Sequence, residues 1–474
     1  MLPAALVVYR FGPFELDAAS GRLYQSGLPV RLPSPQSAML VCLVTQAGNM
    51  VTREALSEAG WPKQEVTYDS VAQAISRLRR RLRATGKNID TVAGRGYRFT
   101  AAVERVDGHR PAAPGDLDLA PYRAFIEGRS HLFTLNRDSI RRARHAFEDF
   151  LREHPGDAAA HIGLANACAL TCEATRIDAT CDVDALAEGE RHARRAVALA
   201  PSSGDAWSAL ALVLYLKGEI DDSAAAARKS IALEPDDFHH WLRMAFVSWG
   251  EDRVRAARRM LALCPGIALG HWLIATVLIA RGAFDAALDV LQEGCAAQDA
   301  QASGGGYFPA VGLHLLRGLV LGAQQQLDAA ADALMRELTT LDQGQMYARE
   351  CAANSWYALG AIRRRQRRRE EAEAAFANAL KVAPAHLYTR AALGQPLPSL
   401  GPGDPRVLDA AFAAAAGLAR AGRHADAAHA WRAGVTESPV PCTGWILPVE
   451  TLIDAGSHPE FWSEALAAVR RRAI

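Results

Sequence analysis

The strongest constraint on this chain is a period. Pro201 and Pro235 stand 34 residues apart, with Trp207, Leu210, Ala211, Leu214 and Ala227 between them. The same order returns as Trp356, Leu359, Gly360, Ala372, Phe376, Ala379 and Pro384. Small residues at the eighth, twentieth and twenty-seventh positions let two helices approach closely, and larger neighbours fill the gaps between stacked pairs. No single hairpin of this kind buries its apolar face, so the array is stable only when stacked. Weaker copies are marked by Trp241 and Pro265, by Ala275, Leu278, Ala287 and Leu291, by Gly318, Leu321, Ala330 and Leu334, and by Leu418, Ala427, Trp431 and Pro439. Tyr122–Pro155 and His161–Pro201 begin the series, with insertions near Cys172–Asp184 and at Gln395–Pro405. A final hairpin, Trp445–Arg472, is expected to cap it. Residues 121–474 therefore predict an α-helical solenoid, whose concave groove offers a surface for a protein, a peptide or a small ligand.

The first hundred residues follow a different pattern. At 100° per residue, Val71, Ile75, Leu78 and Leu82 fall on one stripe. Gln73, Ser76, Arg77 and Arg80 fall opposite, with Arg79, Arg81 and Arg83 on the flanks. The apolar stripe seats such a helix on a small core, and the other face offers guanidinium and amide groups that match base edges and phosphates. Thr91-Val-Ala-Gly-Arg-Gly-Tyr-Arg-Phe99 reads as a tight hairpin with Arg95 at its tip between Gly94 and Gly96, suited to a narrow minor groove. Charge divides accordingly: residues 1–110 hold 15 Lys/Arg against 9 Asp/Glu, and the remainder 38 against 43. A basic unit on a mildly acidic body is the footprint expected of a DNA-binding module joined to another domain.

Residues 7–103 resemble the winged-helix effector domain of the OmpR/PhoB type. Val7–Leu16, Gly21–Tyr24 and Leu28–Leu32 supply a β-meander. Ser34–Ala47 and Thr52–Ala59 supply two helices, the second N-capped by Thr52. Ile75–Leu82 and Gly94–Phe99 are the most family-specific pieces. The resemblance implies that Gln73 and Arg77 face bases, and that Trp61, Ser76, Arg79, Thr91 and Tyr97 lie near phosphates. To these we add Arg80 at the bases, Arg83 and Arg98 at the phosphates, and Arg95 in the minor groove. Ala93 departs from the family, in which many members carry arginine there. The loop Gly60–Thr67 corresponds to a segment that contacts RNA polymerase in relatives. The repeats resemble tetratricopeptide repeats, and the combination resembles the HilA-type regulators.

The expected architecture is mostly α: an N-terminal α+β winged helix-turn-helix at 1–103, a polar linker at 104–120, and the solenoid. The function implied is sequence-specific binding of promoter DNA by a cytoplasmic regulator, in the sense of an activator. RNA polymerase, a protein partner, self-association and a small-molecule effector are its candidate partners. Two alternatives stay open: an interaction scaffold, and a ligand-gated regulator whose groove carries the main activity. No run of 18 apolar residues predicts a membrane span. With the winged helix at the start of the sequence, no receiver domain and no control by aspartyl phosphorylation are expected. No phosphate loop, HExxH or nucleophile elbow is present, so no enzyme, cofactor or metal is expected. The eight cysteines form no CxxC pair. Cys168, Cys172 and Cys181 come nearest to a cluster, with helix packing favoured over sensing. Arg363–Arg369 is expected to be a solvated turn paired with Glu370 and Glu371.

Overall fold

The computed structural model describes residues 7–17, 22–25, 28–30, 32–61, 68–82, 88–92, 95–107, 132, 134–178, 182–304, 308–341, 344–400, 406–438 and 440–474. The contacts divide the chain into two units, Met1–Leu117 and Asp118–Ile474.

In the first unit, β1 (Val7–Phe11), β2 (Phe14–Asp17), β3 (Arg22–Gln25) and β4 (Leu28–Val30) form the expected meander. A fifth strand, β8 (Glu104–Asp107), pairs antiparallel with β1, Val7 opposite Asp107 and Arg10 opposite Glu104. The linker expected from Glu104 therefore does not begin there. Those four residues are too polar to read as a strand, yet they satisfy the free edge of β1. Helices α1 (Ser34–Thr45), α2 (Arg53–Gly60) and α3 (Tyr68–Arg81) follow, and β5 (Met50–Thr52), β7 (Gly96–Phe99) and β6 (Ile89–Val92) make a second sheet in the order β5-β7-β6. Thr52 caps α2 by accepting the Ala55 N–H at 3.2 Å. The core unites Phe11, Phe14, Leu16, Leu40, Leu43, Leu56, Val71, Ile75, Leu78 and Phe99, all buried. Phe11 meets Phe99 edge-on at 5.0 Å, an arrangement aromatic pairs favour.

The second unit stacks helical hairpins. After α4 (Arg137–Glu153) come α5 (Ala158–Thr175) with α6 (Val183–Leu199), α7 (Gly204–Leu216) with α8 (Ile220–Leu233), and α9 (Phe238–Val247) with α10 (Gly250–Leu263). Next are α11 (Ala268–Arg281) with α12 (Phe284–Gly304), α13 (Leu313–Ala323) with α14 (Leu327–Thr340), and α15 (Ala348–Arg365) with α16 (Arg369–Val382). The short α17 (Leu387–Leu393), then α18 (Val407–Arg420), α19 (His424–Glu437) and α20 (Pro459–Arg472), close the chain. The small positions act as expected. A Cβ on Gly360 would stand 2.6 Å from Phe376, and one on Gly163 would stand 2.3 Å from Phe147. First helices of successive hairpins touch along the inner face, where Arg243 on α9 donates to Ser208 on α7 at 3.4 Å and to Asn166 on α5 at 3.2 Å.

The segment Cys442–Ser457 departs from a simple cap. It lies along the first helices: Tyr215 of α7 meets Cys442 at 3.5 Å, Trp272 of α11 meets Trp445 at 6.3 Å, and Tyr357 of α15 donates to buried Glu450. Trp445, Ile446 and Val449 pack into the same apolar cluster as Leu313, Leu316 and Leu359. Over these helices the concave face expected to be open is covered by the chain's own C-terminal segment. Only α20 acts as the expected closing helix, its Trp462 fully buried. The arginine run Arg363–Arg369 is paired in part as expected: Arg363 and Arg368 reach Glu371 at 3.3 and 2.5 Å, but Arg369 reaches Glu373 at 3.0 Å rather than Glu370. Arg365 departs from that turn and pairs with Asp454 at 3.4 Å.

Candidate nucleic-acid interface

Helix α3 buries Val71, Ala74, Ile75 and Leu78 against the core. This leaves Gln73, Ser76, Arg77 and Arg81 exposed on the other side, as helical periodicity requires. The side chain of Arg80 and the whole of Arg83 lie outside the described residues, as do the polymerase-contact residues 62–67. Trp61 is half-buried and closes α2, its N–H bonded to the Ser57 carbonyl at 2.8 Å.

The hairpin of β6 and β7 is held to α3 by two side chains. Buried Asn88 donates to the Leu82 carbonyl at 3.0 Å, at the C-terminal end of α3. Arg79 donates through Nε to the Ile89 carbonyl at 2.9 Å and through Nη2 to Thr91 Oγ1 at 2.8 Å. Its guanidinium also lies 5.8 Å from the Tyr97 ring centre. Three residues expected at phosphates, Arg79, Thr91 and Tyr97, therefore meet each other. Tyr97 is only 5% exposed, so its ring belongs to the core. Sequence reasoning missed this strut because an arginine on a helix flank carries no sign of which carbonyl it will find.

Arg95 is exposed at the turn, its N–H bonded to the Val92 carbonyl at 3.0 Å, and Arg98 is exposed on β7. Gly96 is needed for a reason other than the turn. A Cβ there would stand 2.1 Å from the Val51 carbonyl oxygen, so β7 can lie against β5 only without a side chain. Gly94 and Ala93 lie outside the described residues. Gln73, Ser76, Arg77 and Arg95 are thus exposed polar and cationic side chains, with amide and guanidinium donors available to acceptors.

The sequence pattern of the family described as "Transcriptional regulatory protein, C terminal" matches residues 27–99. The N-terminal unit is a winged-helix domain of this family. Tetratricopeptide-repeat patterns match residues 135–171, 186–238 and 353–386, so the second unit is a tetratricopeptide array. Transcriptional regulator HilA of Salmonella typhimurium is 33% identical over 115 residues, which cover 24% of this chain and 20% of HilA. A cholera toxin homolog transcriptional activator of Vibrio parahaemolyticus is 39% identical over 101 residues, 20% of this chain and 35% of its own length. The chain thus spans at most about a third of these curated relatives. Among solved structures, the DNA-binding domain of E. coli CadC is 27% identical and matches 21% of this chain and 98% of its own, with a TM-score of 0.19.

Among the described residues, Glu234, Asp237 and His240 are the group close enough to share a metal ion. Two of them already have structural partners: Glu234 accepts the Gly204 N–H at 3.1 Å, and Asp237 caps α9 by accepting the His239 N–H at 2.9 Å. Cys168 and Cys172 are buried in α5, and burial pushes the Cys168 thiol up to about 12. A thiol held protonated is a poor sensor. Cys181 lies outside the described residues. No described helix is long and apolar enough to cross a membrane.

Proposed function

We propose that this protein is a sequence-specific DNA-binding transcription regulator, acting as an activator, with the repeat array as its regulatory and interaction domain. The observation that carries the reading is the exposed face of α3. Gln73, Ser76 and Arg77 stand clear of the core beside a hairpin that presents Arg95, on a domain whose relatives are transcription regulators. Gln73 and Arg77 read base edges in the major groove, Ser76 and Arg98 contact phosphates, and Arg95 enters the minor groove. RNA polymerase is the partner through which an activator of this form works.

Regulation by a protein partner is favoured over a small ligand in the repeat groove. The chain's own Cys442–Ser457 covers the inner side of α7, α11 and α15, where such a ligand would sit. The test is competition between a selected site and bulk DNA. A specific reader prefers its site by about a thousandfold or more, and Arg77→Ala reduces that ratio. Equal affinity for both DNAs would make the protein a scaffold.

A further inference from the structure

The outer helices of three consecutive hairpins repeat one detail. Arg194 and Arg195 on α6, Arg228 and Lys229 on α8, and Arg258 and Arg259 on α10 each occupy the seventh and sixth residues before a proline, Pro201, Pro235 and Pro265. Each pair therefore lies at the same height on its helix, and all six side chains are exposed. Arg191 and Arg255 extend the pattern one turn up on α6 and α10, also exposed. Each outer helix packs against the first helix of its own hairpin and that of the next, so equivalent positions recur in order along the stacked hairpins and the pairs make a cationic row.

Packing does not require the row. The best-formed repeat has Ala377 and Asn378 at the same two positions before Pro384, and α4 has Glu148 and Asp149 before Pro155. Helix α12 contains no lysine or arginine, so the row has two ends. Helix dipoles favour cations near C-termini, but α16 ends without these two. Part of the charge is neutralised locally: Arg194 pairs with Glu190 at 2.7 Å, Arg259 with Asp236 at 3.6 Å, and Arg255 with Asp252 at 3.6 Å. Arg191, Arg195, Arg228, Lys229 and Arg258 make no ion pair among the described residues. These five cations without an ion pair, four of them at the recurring two positions, sit on a domain with more acidic than basic residues.

We infer that this row is a second, sequence-independent contact for the phosphate backbone of duplex DNA. A row of point charges suits a polyanion of regular charge spacing, and guanidinium groups match phosphate geometry. The inference rests on the DNA-binding reading above, because the winged helix brings a duplex to the same molecule and raises its effective concentration at the row. The row then adds affinity for any duplex, while α3 sets the sequence.

The test uses the full chain, a 60-bp random-sequence duplex and the triple variant Arg195→Glu/Lys229→Glu/Arg258→Glu. These side chains are exposed, so helicity and melting should not change. Losing three phosphate contacts flattens the slope of log K against log salt by about 2.7. The same flattening is expected in an Arg77→Ala/Arg95→Ala background, which separates failure of the row from failure of the winged helix. An unchanged slope in both backgrounds overturns the inference. So does an unchanged DNA slope together with lost sedimentation on phosphatidylglycerol vesicles, which would assign the row to a lipid surface.

Discussion

Arg79 offers the sharpest choice between two physical roles. As a phosphate contact, Arg79→Ala would leave the fold alone and flatten the salt slope of DNA binding by about 0.9. The structure instead gives its guanidinium two bonds inside the domain, 2.9 Å to the Ile89 carbonyl and 2.8 Å to Thr91 Oγ1. Hydrogen bonds from a charged donor contribute about 1.5–3 kcal/mol when buried, and this side chain is half-buried. We expect Arg79→Ala to destabilise the N-terminal unit by about 2 kcal/mol, which lowers its melting point by about 10 °C for a domain of this size. Thr91→Ala removes one partner and costs about 1 kcal/mol. The double variant should be less destabilised than the sum, with a coupling of about 1 kcal/mol. Thermal unfolding of the full chain, read by hydrogen exchange at the amides of α3 and β6, measures all three. If Arg79→Ala melts like the parent while its salt slope falls by one contact, the strut is not what the residue is for.

Other outcomes follow from the same contacts. Arg77→Ala should cost about 1–3 kcal/mol on a selected site and relax base preference, whereas equal losses on specific and random DNA would remove it as a base reader. Gly360→Ala places a methyl 2.6 Å from the buried ring of Phe376 and should destabilise the array by about 1–3 kcal/mol, checked by urea unfolding. Burial lowers the His386 imidazole to about 4 from its ordinary 6.5, while Asn354 and Thr389 hold it at 3.1 and 2.7 Å. Its unfolded form binds the proton first, so its contribution is complete above pH 6.5 and declines as pH falls from 6.5 towards 4. The array's urea midpoint should therefore drop between pH 7 and pH 5, and His386→Asn should weaken that dependence.

Much of the molecule was legible because period carries so much information. A helical stripe of Val71, Ile75, Leu78 and Leu82 fixes which side of α3 is buried, and with it the exposure of Gln73, Ser76 and Arg77. The 34-residue spacing from Pro201 to Pro235 does the same for the array. What escaped had no period. Strand β8 is four polar residues that become a strand only because the edge of β1 is there to pair with. Trp445–Val449 reads as a helix start, yet it lies along α11 and α13 because their apolar inner faces need covering. The role of Gly96 depends on how closely β5 approaches, and no local pattern encodes that distance. The row on α6, α8 and α10 was visible in the letters but needed the stacked helices to become a surface.

Helix α3 and the hairpin are expected to read particular DNA sequences. The direct measurement is genome-wide occupancy of the intact protein beside its Arg77→Ala/Arg95→Ala variant. Sharp peaks at promoters should disappear in the variant while protein levels stay equal. Diffuse occupancy, identical for both proteins, would contradict this expectation.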